Sequence, residues 1–353
     1  MKELTYILGA GASFQSIPVV NSFSKRFLKF AHYFEDEFNN EGFSKSELYK
    51  MLYNLVLSLH NEFASHHSFD TYFKKLFHTN QFEQIEQSKR LLNLYFLWEH
   101  LQSVSSLPFE RKENTFYKES KFDKRYDALL AGLLKPESGK KEFFTKVNFI
   151  TWNYDLNLFF SLKNYFGDKM PIGEFIKKIK VNEFEWNISN QVSVINMNGF
   201  FYSHSLDSFY SLETENTSSV LYDLIEDDFL DSEKNRIDAE QIKFAWETDR
   251  NVAGIAKSKI QKSNNIVVIG YTFPLYNRLQ DLYYFNNKDV SQKKVYIQDP
   301  DSEKIGSFAK ESFGISTARL IKTVKDCSSF FVPSDIFDES LDNYGENKTW
   351  DWA

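Results

Sequence analysis

The chain has almost no cysteine. Cys327 is the only one in 353 residues, which excludes an intramolecular disulfide and any structural zinc site built from several thiolates. That usage suits a reducing compartment. Proline and glycine are also scarce, at seven and thirteen, so long flexible linkers are not expected. No apolar run approaches the roughly 20 residues that a membrane-spanning helix needs. The opening residues 1–8 carry Lys2 and Glu3 and are too short to read as a secretory signal. Positive charge is not in excess: the formal net charge is -7, and surfaces that grip phosphate backbones need concentrated Lys and Arg. The expectation is a cytoplasmic protein with neither a membrane nor a direct nucleic-acid partner.

What is present is a globular composition in which 36 Phe and 19 Tyr supply much of the apolar volume, enough for a large core. Six segments read as buried strands by length and β-branched content: 4–8, 147–152, 192–197, 266–269, 294–298 and 319–324. Helical patterns separate them, which predicts an α/β fold: a Rossmann-like, doubly wound, mainly parallel sheet. The spacing is uneven. Helical patterns at 24–38, 45–64, 69–77 and 83–101 all fall between the first two strands. Phe27, Phe30, Ala31 and Phe34 share one helical face, and Leu48, Leu52, Leu55 and Leu59 another. The expected organisation is therefore one domain over 1–353, with a large helical insertion at about 24–142 after the first strand. The acidic stretches 226–231 and 335–342 read as solvated.

The first strand runs straight into Gly9-Ala10-Gly11-Ala12-Ser13. In doubly wound folds such a turn opens a site for a dinucleotide pyrophosphate. Gly9 would allow the tight turn, Gly11 would leave no Cβ between backbone and phosphate, and the following helix would offer N–H groups. A hydride-transfer enzyme is not indicated. Phe14 stands at the third glycine position, and no Asp or Glu occurs between Phe14 and Phe34 to hold a ribose.

Four other strand exits are polar or carry glycine. Thr151-Trp152-Asn153-Tyr154-Asp155 sends an Asn and an Asp toward the same crevice, although Asp155 is also placed to cap a helix at 156–164. Asn196-Met197-Asn198-Gly199, Gly270-Tyr271-Thr272-Phe273-Pro274 and Gln298-Asp299-Pro300 end the others. Five such exits on one sheet point to a ligand site rather than to turns alone. His60, His66, His67 and His78 lack a matching acidic ligand set. Ser13 lacks the second glycine of a nucleophile elbow.

In this order the segments resemble the SIR2-like family, the NAD-consuming relatives of sirtuins common in bacterial antiphage defence. The matching stretches are GAGAS with Ile17-Pro18 downstream, TWNYD, Asn198-Gly199, and IGYTFP followed by Asp281, over residues 4 to about 300. The resemblance implies NAD as substrate and no metal. It implies that Gly9, Ala10, Gly11, Ala12 and Ser13 hold the pyrophosphate, that Pro18, Asp155, Gly270, Tyr271 and Asp299 border the nucleotide, and that Asn153 sits beside the nicotinamide ribose. Two departures point away from protein deacylation: a single cysteine cannot build the four-cysteine zinc module of deacylating sirtuins, and Val19-Val20-Asn21 replaces their Asp-Phe-Arg segment. In a third, Asn198 stands where the family usually has a general-base His, and an amide takes no proton at neutral pH. His204 is the nearest substitute.

The implied activity is NAD+ glycohydrolysis to nicotinamide and ADP-ribose, with Asn153 and Asn198 as catalytic residues, in an effector that depletes NAD during abortive infection. The alternative is a catalytically weak or inactive subunit that binds NAD, ADP-ribose or a related nucleotide within a defence complex. Uncontrolled NAD loss kills the host, so a homo-oligomer or a separate sensor or regulatory protein is implied as the restraint.

Overall fold

A computed structural model describes residues 3–17, 20–40, 43–66, 69–104, 123–135, 142–167, 170, 172–181, 191–199, 225, 242–247, 250–285, 290, 292–313, 315, 318 and 320–337. The six apolar, β-branched segments become strands: β1 (Glu3–Leu8), β2 (Lys146–Thr151), β3 (Val192–Asn196), β4 (Asn265–Ile269), β5 (Lys294–Gln298) and β6 (Leu320–Val324). Their ends move by a residue or two from the sequence reading, the usual scatter at element boundaries. All five pairings are parallel, in the order β3-β2-β1-β4-β5-β6. This is the doubly wound order. The strand sequence reverses between β1 and β4, so a crevice forms outside their carboxyl ends.

Because both faces are covered, the strands read as nearly continuous apolar runs, and alternation divides their side chains between two cores. Leu4, Tyr6, Leu8, Val147, Phe149, Val192 and Val194 belong to the first. Ile7, Ile150, Ile195, Ile266, Val268, Val295 and Ile297 belong to the second. Among the described residues, five helices lie between β1 and β2 in the chain: α1 (Val20–Asn40), α2 (Phe43–Ala64), α3 (Phe69–His78), α4 (Phe82–Val104) and α5 (Lys124–Leu133). They extend the first core. The α1 stripe Phe27, Phe30, Ala31 and Phe34 is buried, with Phe27 5.1 Å from Tyr95 and Phe30 5.3 Å from Trp98 between ring centroids. α6 (Asn157–Phe166) and α7 (Ile172–Val181) pack in the same core. α8 (Arg250–Lys262), α9 (Arg278–Tyr284) and α10 (Ser302–Ser312) pack in the second. None of the described helices is long and apolar enough to cross a membrane.

A polar row inside the second core pins the register of three strands. Thr5, Asn148 and Ser193 are in line across β1, β2 and β3. Ser193 Oγ donates to Asn148 Oδ1 at 2.7 Å, Asn148 Nδ2 to Thr5 Oγ1 at 3.4 Å, and Thr5 Oγ1 lies 2.5 Å from Ser263 Oγ. A one-residue slip would set these groups against the apolar core and break the row. The acidic stretch 335–342 is not wholly the solvated tail expected from its charge: Lys294 Nζ and Asn265 Nδ2 donate to the Asp335 carboxylate at 2.6 and 3.2 Å. Strand starts supply the partners that charge patterning alone does not reveal. Residues 338–342 and 226–231 lie outside the described residues.

Two glycines test the packing in opposite directions. Gly254 sits inside α8 with nothing within 4 Å of a would-be Cβ. Gly270 has φ +58, and a Cβ there would come within 2.5 Å of Gly11 Cα. In denaturant titrations, Gly254→Ala should stabilise the protein by about 0.5–1 kcal/mol. Gly270→Ala should instead lower the unfolding midpoint sharply, since neither its backbone angle nor its neighbour tolerates a side chain.

Candidate functional site

β1 leads directly into a single 3-10 turn, Ala10–Ser13. Gly9 N–H donates to Ile269 O and Gly11 N–H to Gly270 O, both at 3.0 Å. A Cβ on Gly9 would lie 2.6 Å from Tyr271 Cα, and one on Gly11 2.7 Å from Gly270 Cα. The exits of β1 and β4 thus meet backbone to backbone. The missing Cβ of Gly11, expected to clear a phosphate, clears Gly270, and the N–H groups of Gly9 and Gly11 are used in this contact.

Ser13, at the end of the turn, is buried. Its Oγ accepts from Asn153 Nδ2 at 3.1 Å and lies 3.1 Å from Tyr126 Oη. Asn153 reaches it because Trp152 N–H donates to Leu8 O at 2.9 Å, continuing the β1–β2 pairing one residue past the strand. Asp155 Oδ1 accepts from the backbone N–H and Nδ2 of Asn157 at 3.0 and 2.7 Å. It therefore caps the entry to α6, the turn role open to it from the sequence. Burial raises the Asp155 carboxyl above its ordinary range, against hydrogen bonds from Ser13 and Asn157. Asn157 Nδ2 also donates to Ser16 Oγ at 2.7 Å, tying α6 to the loop after the glycines. On the far side of this exit, His100 Nε2 accepts from Leu156 N–H at 3.3 Å. Burial lowers that imidazole to about 3, so it is neutral.

The loop is held from behind by a pair the sequence reading missed. Arg125 Nη2 donates to Ala12 O at 2.8 Å and Nη1 to Cys327 O at 3.1 Å. Its Nε donates to Asp123 Oδ1 at 2.8 Å, and Nη2 also bonds that carboxylate. Both residues are buried, and the guanidinium carbon lies 4.4 Å from the Phe14 ring and 4.7 Å from the Phe330 ring. Locally, the available signal was an N-cap: Asp123 accepts from Arg125 N–H at 3.1 Å at the start of α5. The partner carbonyls are more than a hundred residues away.

At the β4 exit, Tyr271 and Trp152 stack with centroids 5.7 Å apart and planes 2° from parallel. Tyr271 Oη donates to Asp281 Oδ1 at 2.9 Å and accepts from Asn277 Nδ2 at 2.9 Å. Tyr271 and Asp281 are both buried. Burial pushes the Asp281 carboxyl up to about 8, opposed by the Tyr271 bond and the Arg278 charge. At the β3 exit, Asn198 Nδ2 donates to Trp152 O at 3.0 Å. Asn198 Oδ1 and both amide atoms of Asn196 are buried without a hydrogen-bond partner, and Asn196 is in register with Thr151. Asp299, half-buried after β5, accepts from Asp301 N–H at 2.9 Å and shapes the turn into α10. Burial raises its carboxyl.

The structure thus brings together Gly9 to Ser13, Asn153, Asp155 and Gly270, with Asn198 and Tyr271 joined to them through Trp152. Asp299 adjoins Gly270, whose N–H donates to Gln298 O at 3.0 Å. Pro18 and His204 lie outside the described residues. No cluster of three or more His, Cys, Asp or Glu suited to a metal ion occurs among the described residues. No protein-family model matches the chain, and no curated protein is significantly similar to it. Unpartnered buried amides beside a glycine-lined strand exit suit hydroxyl groups, which an amide can both donate to and accept from.

Two buried groups give opposite pH dependences. The Asp281 carboxyl, raised from 3.8 to about 8, keeps its proton in the folded state, so its contribution is complete below its unfolded value and is lost as pH rises through 8. The His100 imidazole, lowered from 6.5 to about 3, contributes fully above its unfolded value, and that contribution is lost as pH falls toward 3. In thermal melts, Asp281→Asn should gain Tm over the parent at pH 9 and lose that advantage by pH 4. His100→Gln should lose less Tm than the parent between pH 7 and pH 4.

Proposed function

We propose that the chain is an NAD+ glycohydrolase of the SIR2-like type, cleaving NAD to nicotinamide and ADP-ribose. The observation that carries this reading is the bond from Asn153 to Ser13 at the switch point, with the unpartnered amides of Asn196 and Asn198 at the next strand exit. Gly9, Ala10, Gly11, Ala12 and Ser13 would line the pyrophosphate, Gly9 and Gly11 through the turn they form against Gly270 rather than through their own N–H groups, with Pro18, Asp155, Gly270, Tyr271 and Asp299 around the nucleotide. Tyr271 would act through the Trp152 ring it supports, and Asp155 through the turn it caps. Asn153 would orient the attacking water or the ribose, and Asn198 Oδ1 would accept from a ribose hydroxyl.

Cationic nicotinamide is a good leaving group and the transition state resembles an oxocarbenium ion, so orientation and fixed dipoles can supply much of the rate. On this reading the helices between about 24 and 142 are an insertion in one domain spanning the chain. The protein would work in the cytoplasm as an antiphage effector, restrained by self-assembly or by a separate regulatory protein. A second reading is favoured by Asn198, which cannot take a proton: a nucleotide-binding subunit that scaffolds a defence complex without turnover.

Nicotinamide release from NAD by the purified chain, alone and with the products of neighbouring genes, separates the two readings. Asn153→Ala should abolish release while leaving the melting curve unchanged. Asn198→Ala should slow it, and Asn198→His should match or exceed the parent because imidazole restores a base near the working pH. NAD binding measured by calorimetry without release in any variant or assembly would establish the scaffold instead.

A further inference from the structure

The helix behind the β4 exit has its polarity reversed. In α9 and the 3-10 turn that leads into it (Leu275–Asn277), the polar residues Asn277 and Asp281 are 7% and 1% exposed, whereas Leu275, Leu279, Leu282 and Tyr283 are 71%, 80%, 46% and 46% exposed. The buried pair has a use on the inner side: Asn277 Nδ2 donates to Tyr271 Oη, which donates to Asp281 Oδ1. The exposed four recur at i, i+4, i+7 and i+8 and so form one stripe on the outer side. Single exposed leucines are ordinary. A contiguous apolar stripe on the back of buried polar groups marks a surface that is covered when the protein works.

The apolar surface continues beyond the turn. Tyr276 and Trp246 lie 6.1 Å apart between ring centroids, and Lys74 Nζ lies 4.6 Å from the centre of the Trp246 ring and 5.6 Å from that of Phe77. Phe77 and Phe82, 6.3 Å apart, are exposed as well. Together with the stripe they offer roughly 500–600 Å² of apolar surface. A standard interface covers about 800 Å² on each partner, and about 65% of a homodimer interface is apolar. The exposed surface thus matches in size the apolar part of a dimer interface.

Its charge selects the occupant. No exposed residue between Tyr271 and Phe285 is charged, and the Arg278 guanidinium carbon is placed 4.8 Å from the centre of the Phe308 ring. A nucleic acid or a charged peptide would need opposite charges here. A second copy of the same face needs none, because groups near a two-fold axis meet their own kind and like charges there would repel. Lys257, with Nζ 3.8 Å from the centre of the Tyr283 ring, supplies a polar rim.

We propose that the outer face of α9 is a two-fold interface with a second copy of this chain. Leu279, the most exposed of the stripe, packs at its centre, and Phe77 and Phe82 lie toward its edge. Pairing also bears on the candidate site, since the inner side of α9 holds Tyr271, which stacks on Trp152. The proposal names a surface for the self-assembly in the reading above but does not rest on NAD cleavage; its test reads mass rather than turnover, so either can fail without the other.

Sedimentation velocity of the purified chain over about 1–100 μM tests it. The parent should sediment at twice the mass of the chain, or at a higher multiple built from such pairs. Leu279→Lys and, independently, Leu282→Glu should raise the dissociation constant of the pair by about 30-fold or more, with unchanged far-UV circular dichroism. Met51→Lys, at an exposed residue of α2 outside this face, should leave the mass unaltered, which shows that the loss is specific to α9. A parent that is monomeric throughout would overturn the proposal. So would an assembly that survives both α9 substitutions. A monomeric parent that instead co-sediments, through Leu279, with lipid vesicles or with the product of a neighbouring gene would assign the face to that occupant and overturn pairing with a second copy.

Discussion

The close approach of the β1 and β4 exits governs the rest of the site. Gly9, Gly11 and Gly270 meet where the strand order reverses, and a Cβ on Gly9 or Gly11 would fall within 2.7 Å of the opposing backbone. Two backbone hydrogen bonds, from Gly9 to Ile269 and from Gly11 to Gly270, close the contact. A parallel sheet opens a crevice at this point because successive crossovers leave on opposite faces. The glycines let the two loops floor that crevice without side chains between them. Ser13 is placed by this closure, and Asn153 is placed by Ser13.

A second constraint links three distant parts of the chain. Arg125 bonds Ala12 O in the glycine turn, Cys327 O near the end of the described residues, and the Asp123 carboxylate. A buried guanidinium is tolerable only when its donors are met, and here the Phe14 and Phe330 rings supply favourable faces on either side. Removing either charge would leave the other buried and unpaired, which costs about 3–5 kcal/mol in comparable sites. The glycine turn is thus fixed from the sheet by Gly270 and from the helical side by Arg125.

The titratable groups in and around the crevice share a direction: burial moves each toward its neutral form. Asp281 is held near 8 and His100 near 3. His100 and Asp281 spend that neutrality on structure, accepting hydrogen bonds that shape the β2 and β4 exits.

The strands, their parallel pairing and the buried stripe of α1 were legible because they are local patterns: β-branched runs of strand length, and Phe27, Phe30, Ala31 and Phe34 at helical spacing. Asp155 was legible as a cap for the same reason, since its partner Asn157 is two residues away. The partner of the glycine turn was not, because nothing near Gly11 indicates that Gly270 fills the space its missing side chain leaves. Asp123 and Arg125 lie at the start of a helix whose local pattern marks them as cap and surface residues. Only the tertiary structure carries this pair to the glycine turn, where Arg125 bonds Ala12 O. The sequence by itself determined which segments are strands and helices and which strand ends are polar, since period and composition act over a few residues. The tertiary structure decided which of those ends meet and which helices reach them, because contacts between residues a hundred or more apart follow from strand order and core packing.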